Sequence, residues 1–254
     1  MNIVLIGAGN LATQVGKAIA ATPAHKIIQV YSRTEASAKT LADTLHTEFT
    51  TDLKNIVTDA DLYLFSVKDA ALESVLQHMP PVKGICAHTA GSIPISVFES
   101  FASHFGVFYP LQTFSKTKDI SLKDVPFFIE GNTPSTEQTL FSLAGELSSN
   151  VRTLDSAKRK EIHLAAVFVC NFTNHMYAIA ADILESKGIP FDVLVPLITE
   201  TTTKLKNLHP KEAQTGPAIR YDQNVMSNHI DMLPEAYKEI YRLLSESIHQ
   251  MHTR

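Results

Sequence analysis

The sequence predicts the α/β class: a mostly parallel sheet with helices on both faces, followed by an all-α C-terminal domain. Three observations carry that prediction. Short β-branched apolar runs alternate with helical stretches from Met1 to about Leu154. A glycine-rich turn, Gly7-Ala8-Gly9, joins the first apolar run to the first helical stretch. From Asp155 onward the β pattern gives way to Ala-rich segments with apolar residues at helical spacing. Strand–helix alternation implies right-handed crossovers, which leave the strands parallel and covered on both faces.

Taken in order, Asn2–Ile6 reads as a strand, Leu11–Ala21 as a helix, Lys26–Tyr31 as a strand and Glu35–Leu45 as a helix. Leu62–Val67 reads as a strong buried strand, followed by a helix from about Ala70 to Met79 and a strand over Gly84–His88. Phe105–Tyr109 and Phe127–Glu130 are further strands; a helix over Ser135–Ser148 and a short strand, Asn150–Leu154, complete this part. Asp155–Ser186 then reads as one long helix, stopped by Lys187-Gly188-Ile189-Pro190, because glycine and proline end helices. Phe191–Leu208 and Pro234–Met251 are helices, with a loop about Gly216-Pro217 between them. The expected organisation is a nucleotide-binding domain of residues 1–154 and a helical domain of residues 155–254.

Composition narrows the function. With 22 Lys+Arg against 26 Asp+Glu among 254 residues, the net charge is −4, and no basic surface for nucleic acid is expected. Cys86 and Cys170 are too few for a disulfide framework or a zinc site, and the 11 histidines show no ligand spacing. No metal is therefore expected. No apolar stretch looks long enough to cross a bilayer, and no signal peptide is visible, so a cytoplasmic protein without a membrane partner is expected.

The motif with chemical content is Gly7-Ala8-Gly9-Asn10-Leu11-Ala12. In a strand–turn–helix unit the first glycine permits the turn, the second lets the backbone approach a diphosphate, and a small third residue lets helix and sheet pack closely. The free N–H groups at the helix start then face the phosphates. This makes the first domain Rossmann-type. Which dinucleotide it prefers is read at the end of the second strand. An NAD enzyme usually carries an acid there; this chain has Tyr31-Ser32-Arg33-Thr34. Arg33 suits a 2′-phosphate, with Ser32 and Thr34 as donors and Lys39 as added charge, so NADP is the expected cofactor. The competing reading is that Arg33 is an ordinary solvated charge. Val67, Lys68, Ala90 and Gly91 follow later strands and would border the rest of the cofactor, because open α/β sheets bind ligands at the carboxyl edge. His88 is a catalytic candidate there, against the alternative of a histidine that caps its strand.

With these residues stated, the N-terminal part resembles the superfamily of pyrroline-5-carboxylate reductases, 6-phosphogluconate dehydrogenase-like enzymes and deazaflavin-dependent NADP oxidoreductases. The whole chain is similar to a Rossmann-like bacterial family ending in the domain of unknown function numbered 2520. The matching pieces are His88–Ser92, Tyr109–Phe114, His163–Phe168 through Asn171, and Thr215-Gly216-Pro217 with Arg220 and Asp222. The resemblance implies NADP binding, a helical C-terminal domain and a homodimer formed through it; it implies no particular substrate. Tyr221 stands where the family pattern suggests glycine.

Chemistry needs a proton donor beside the carbon that exchanges hydride. The hydroxyacid dehydrogenase relatives use a Lys four residues before an Asn; here Val167 precedes Asn171 and Cys170 precedes Asn174 at that spacing. That mechanism does not transfer. On one ideal helix, Lys160, His163, Asn171 and Asn174 fall within about 80° of one another, a polar stripe on an apolar helix. His163 is the candidate acid and Asn171 a catalytic partner. Ser92, Asn174, Gly216, Arg220 and Asp222 are substrate candidates, with Arg220 a clamp for an anion. The same residues equally suit a dimer seam, or a structural Arg220–Asp222 pair. The expected function is an NADP-dependent oxidoreductase acting on a small polar carbonyl, imine or alcohol held between the two domains. The alternatives are an NADP-binding sensor or assembly protein without turnover, and hydride exchange with a deazaflavin or flavin stacked on Phe114 and Tyr221.

Overall fold

The computed structural model describes residues 1–253, and the chain forms two compact units, Met1–Phe168 and Val169–Arg254. The first contains β1 (Asn2–Ile6), α1 (Asn10–Ala20), β2 (Lys26–Tyr31), α2 (Glu35–Leu45), β3 (Glu48–Thr50), β4 (Leu62–Phe65), α3 (Asp69–His78), β5 (Ile85–His88), β6 (Phe105–Pro110), β7 (Phe127–Gly131), α4 (Pro134–Leu147), β8 (Val151–Thr153) and α5 (Ser156–Ala166). The eight strands form one sheet in the order β3-β2-β1-β4-β5-β6-β7-β8. Neighbours are parallel except β6 and β7, where Phe108 faces Ile129 in antiparallel register. β3 escapes the sequence pattern because it is a three-residue strand paired on one side only, with β2.

Both faces of the sheet are covered at its centre, where β1 and β4 are buried on alternating sides. Ile3 and Leu5 enter one core cluster and Val4 and Ile6 the other; Leu62 and Leu64 alternate likewise with Tyr63 and Phe65. A third cluster, Val107, Tyr109 and Phe128 with Ile162, lies where α5 packs on β6 and β7. The β pattern ends at Thr153, yet the compact unit runs on to Phe168. A buried charge cluster fastens α5 to the sheet. Asp155 caps that helix, accepting from the Lys158 N–H at 2.8 Å.

The expected single helix after residue 154 is interrupted. α5 passes into a π-helical stretch, Val167–Phe172, and then into α6 (Thr173–Glu185). A π turn holds more residues than an α turn. The 100° phase that aligned Lys160 and His163 with Asn171 and Asn174 is therefore lost, and the four-residue stripe does not stand as derived. The combined run Ser156–Glu185 is also long and apolar enough, by length and composition, to cross a membrane. This corrects the expectation that no stretch reaches that length; Asn171, Asn174 and His175 break up the continuous apolar string that a reading by eye seeks.

The second unit is helical: after α6 come a 3₁₀ turn over Phe191–Leu194, then α7 (Val195–Lys204), α8 (Pro210–Ala213), α9 (Pro217–Arg220), α10 (Gln223–Met232) and α11 (Glu235–Thr253). The stop after α6 uses Gly188 at φ +69°, as the sequence suggests. Phe191–Leu208 is shorter than expected as an α-helix because Pro196 starts a new one in its first turn. The loop about Gly216 holds the single turn α9, and α10 was not anticipated.

Candidate active site

The turn after β1 divides its work between two glycines. Gly7 has φ +119°, and a Cβ there would lie 2.3 Å from the Ser66 carbonyl oxygen; its N–H donates to Tyr31 O at 2.8 Å. The chain thus crosses β4 at a separation only glycine allows. Gly9 is the N-cap of α1, and a Cβ there would meet nothing within 4 Å. No side chain caps α1, so its first N–H groups are free donors at the positive end of the helix dipole. Ala12, the third position of the motif, is completely buried, as close helix–sheet packing requires. Leu11 is half-buried beside it. Asn10 and Gln14 reach from α1 to the segment after β6, donating to Phe114 O at 3.0 Å and Ser115 O at 2.6 Å.

At the end of β2, Ser32 is half-buried, while Arg33 and Thr34 are exposed. Arg33 has no hydrogen-bond or ion-pair partner among the described residues, whereas Lys39 is paired with Asp43 at 3.3 Å. Arg33 is the free cation of the pair. Lys68, exposed, is the N-cap of α3 and follows the half-buried Val67.

The carboxyl ends of β4, β5 and β6 carry a polar cluster. Ser66 and Thr89 hydroxyls are 3.2 Å apart, and the Ser92 hydroxyl donates to the Asp69 carboxylate. His163, from α5, lies over Gly91: a Cβ on that glycine would be 2.4 Å from Nδ1. The Tyr109 hydroxyl is 3.0 Å from the same Nδ1, with the rings edge to face. Burial holds the Tyr109 phenol above its usual pKa, Arg159 opposing and Asp69 reinforcing. Beneath α5, Arg159 is fully buried; it pairs with Glu130 and donates to the Ile93 carbonyl and, at 3.1 Å, to Ser156 Oγ. Ser156 donates to Glu130 at 2.7 Å and accepts the Ile95 N–H at 3.0 Å.

His88 does not have the character of a proton donor. Its ring is 1% exposed and stacked on Phe98, and Nδ1 accepts the Ala90 N–H at 3.2 Å. Burial first, and Arg159 second, push its pKa down to about 3; the Pro94 carbonyl pulls the other way, though not at hydrogen-bonding geometry. The neutral ring terminates its strand, which replaces the catalytic expectation.

In the helical unit Asn171 and Asn174 are exposed, the first in the π-helical stretch and the second on α6. Gly216, at φ +108°, starts α9, and Arg220 at its end is exposed. Asp222 does not pair with Arg220: its carboxylate caps α10, accepting from Val225 N at 3.2 Å. Tyr221 occupies the left-handed region at φ +52°, which explains why a glycine suits this position, and its ring stacks on His249 with centroids 4.2 Å apart.

Residues 2–91 match the family profile described as NADP oxidoreductase coenzyme F420-dependent, and residues 125–248 that described as domain of unknown function DUF2520. A solved structure from Bacteroides fragilis, described as a "putative NADP oxidoreductase", is 50% identical over 98% of both chains, with a TM-score of 0.92. This chain belongs to the same NADP oxidoreductase family. The family's cofactor is NADP, and the first unit supplies its Rossmann-type domain. The fold is shared more widely. The 1-pyrroline-5-carboxylate reductase of Streptococcus pyogenes is 15% identical over 98% of both chains, with a TM-score of 0.68. A reductive aminase from Aspergillus terreus, solved with NADPH, is 14% identical over 91% of this chain and 77% of its own, with a TM-score of 0.65. No curated protein matches the sequence. Within the family frame, sequence reasoning missed Tyr109 and the Arg159–Glu130–Ser156 cluster. Tyr109 opens the Tyr109–Phe114 segment but reads as a core strand residue, and Arg159 reads as one of several helix-surface cations.

Proposed function

We propose that this protein is an NADP-dependent oxidoreductase acting on a small polar carbonyl, imine or alcohol, and that it works as a homodimer. The observation that carries the reading is Gly9, where a Cβ would find open space at the uncapped start of α1. A diphosphate fits that space and those donors. Asn10 and Leu11 would present N–H groups to it; Arg33, with Ser32 and Thr34, would hold the 2′-phosphate, and Val67, Lys68, Ala90 and Gly91 would border the remainder. When bound, the reduced cofactor supplies a hydride. The chain's own task is then to orient the substrate and provide a proton, and His163 suits it: a half-buried imidazole above Gly91, held by a hydroxyl. Asn171, Asn174, Gly216 and Arg220 are carried as substrate or positioning candidates on the helical unit.

Isothermal titration tests the reading. NADPH is expected to bind at least about tenfold more tightly than NADH, the equivalent of one charge-assisted interaction. Binding of neither cofactor overturns it. Steady NADPH oxidation over a panel of keto acids and cyclic imines tests turnover; tight NADPH binding with a silent panel would support the sensor instead. The dimer is supported by the helical unit, in which Ala218 alone is buried among the described residues.

A further inference from the structure

The position of His163 is fixed by contacts that also choose where its proton sits. Nδ1 is 3.0 Å from the Tyr109 hydroxyl, and Gly91 leaves no room for a side chain on the ring's Nδ1 edge. Tyr109 is itself clamped: it is 7% exposed, lies in the register of β6 opposite Phe128, and stacks on that ring. His163 Nε2 has no partner among the described residues and is not sealed from solvent. One nitrogen is therefore committed to the protein and the other is open.

We propose that Tyr109 is a positioning residue that donates its hydroxyl proton to His163 Nδ1, holding the neutral imidazole in the tautomer whose proton is on the outward Nε2. This rests on His163 being the proton donor of the reaction. A phenol is the right partner because it stays protonated when buried, and burial raises the Tyr109 pKa further. It can also accept a hydrogen bond from Nδ1–H when the ring is cationic; that cation gives its Nε2 proton to the substrate and is left neutral with hydrogen on Nδ1, and the resting tautomer returns when Nε2 takes a proton from solvent and Nδ1 releases its own. A carboxylate at that place would instead fix the opposite tautomer, since it can only accept. Arg159 and Asp69 are the charges that act on Tyr109, in opposite senses.

The test reads the tautomer directly and needs no substrate. Long-range ¹H–¹⁵N correlation spectra of the full-length ¹⁵N-labelled protein, at alkaline pH where the ring is neutral, are recorded for the wild type and Y109F; the ring is assigned by the signals missing in H163N. A wild-type Nδ1 that is unprotonated and Nε2 that carries hydrogen is the expected result, with the Y109F ring moving towards a mixture of tautomers. A wild-type proton on Nδ1 overturns the proposal, whatever becomes of the variant. So does a folded Y109F protein whose Nδ1 signal is unchanged. On any substrate that turns over, Y109F should lower kcat about tenfold at unchanged KM, part of the roughly 10²–10⁴-fold that a positioned acid contributes. Failure of NADPH binding would remove the proposed activity but leave the tautomer measurable, so the two failures are distinct.

Discussion

Gly7 and Gly9 sit two residues apart and answer to different demands, so substituting them should separate folding from binding. At Gly7 an added Cβ strikes the Ser66 carbonyl, and φ is +119°. Gly7→Ala should cost about 2 kcal/mol or more, lowering Tm by roughly 4–8 °C for a unit of this size. Gly9→Val meets no protein atom at its Cβ; calorimetry should find Tm nearly unchanged, while titration finds neither NADPH nor NADH bound. Retained binding would show that the open space at α1 is not the diphosphate cradle. Arg33→Ala should weaken NADPH by about 1.5–3 kcal/mol, roughly ten- to a hundredfold, and leave NADH as it was. His88 gives a pH effect of known sign. Its folded pKa of about 3 lies below the 6.5 of a free imidazole, so below pH 6.5 the unfolded chain takes up a proton that the folded chain refuses. Stability therefore falls as pH drops from 6.5 towards 3, by about 2 kcal/mol at pH 5. Urea unfolding at pH 7 and pH 5 should register that difference in the wild type and lose most of it in His88→Asn, which keeps an acceptor for the Ala90 N–H.

At the scale of elements, α5 is the decisive one, because it brings His163 to the sheet edge. Its hold depends on Arg159, a fully buried guanidinium whose two terminal nitrogens bond Glu130 from β7, the Ile93 carbonyl and Ser156, while Nε has no partner among the described residues. Removing one partner of a buried pair strands the other charge and typically costs about 3–5 kcal/mol. Glu130→Gln should therefore lower Tm by roughly 6 °C or more and, measured by hydrogen exchange, loosen α5 before the β1–β4 core. Equal protection of α5 in wild type and variant would show that the cluster does not hold it. The sequence made β1, α1 and the glycine turn legible because apolar alternation, small residues and chain order all agree there. It also gave Asp155 as the start of α5. It did not give β3, whose three residues carry no period, nor the π-helical stretch, which depends on how the helix packs. The Arg159 cluster was hidden for a related reason: a charge at a helix position looks solvated until its neighbours from β7 and the Ile93 segment are known.

At the scale of the molecule, the two units differ in how they meet the cost of their apolar residues. The sheet unit buries them: Ile3, Leu5, Leu64 and Phe108 are all fully enclosed. In the helical unit Val169, Leu197 and Met232 are 75%, 63% and 82% exposed, and Leu243 and Met251 on α11 are more than half exposed. Apolar exposure of that extent on elements without a core of their own marks a surface that binds another surface. A second copy of the chain meets the requirement because it brings an equal apolar area to a self-complementary interface. A membrane does so less well, since Asn171, Asn174 and His175 fall within the one run long enough to span it. Each of these side chains is worth about 1.5–3 kcal/mol when fully buried, so a charge in the middle of the patch should cost more than a surface substitution elsewhere. Sedimentation equilibrium should therefore find a dimer at micromolar concentration, and Leu197→Glu with Val169→Asp should shift it to monomer while binding NADPH through the sheet unit survives. A wild-type monomer that floats with liposomes would reverse the assignment and make the helical run a membrane element.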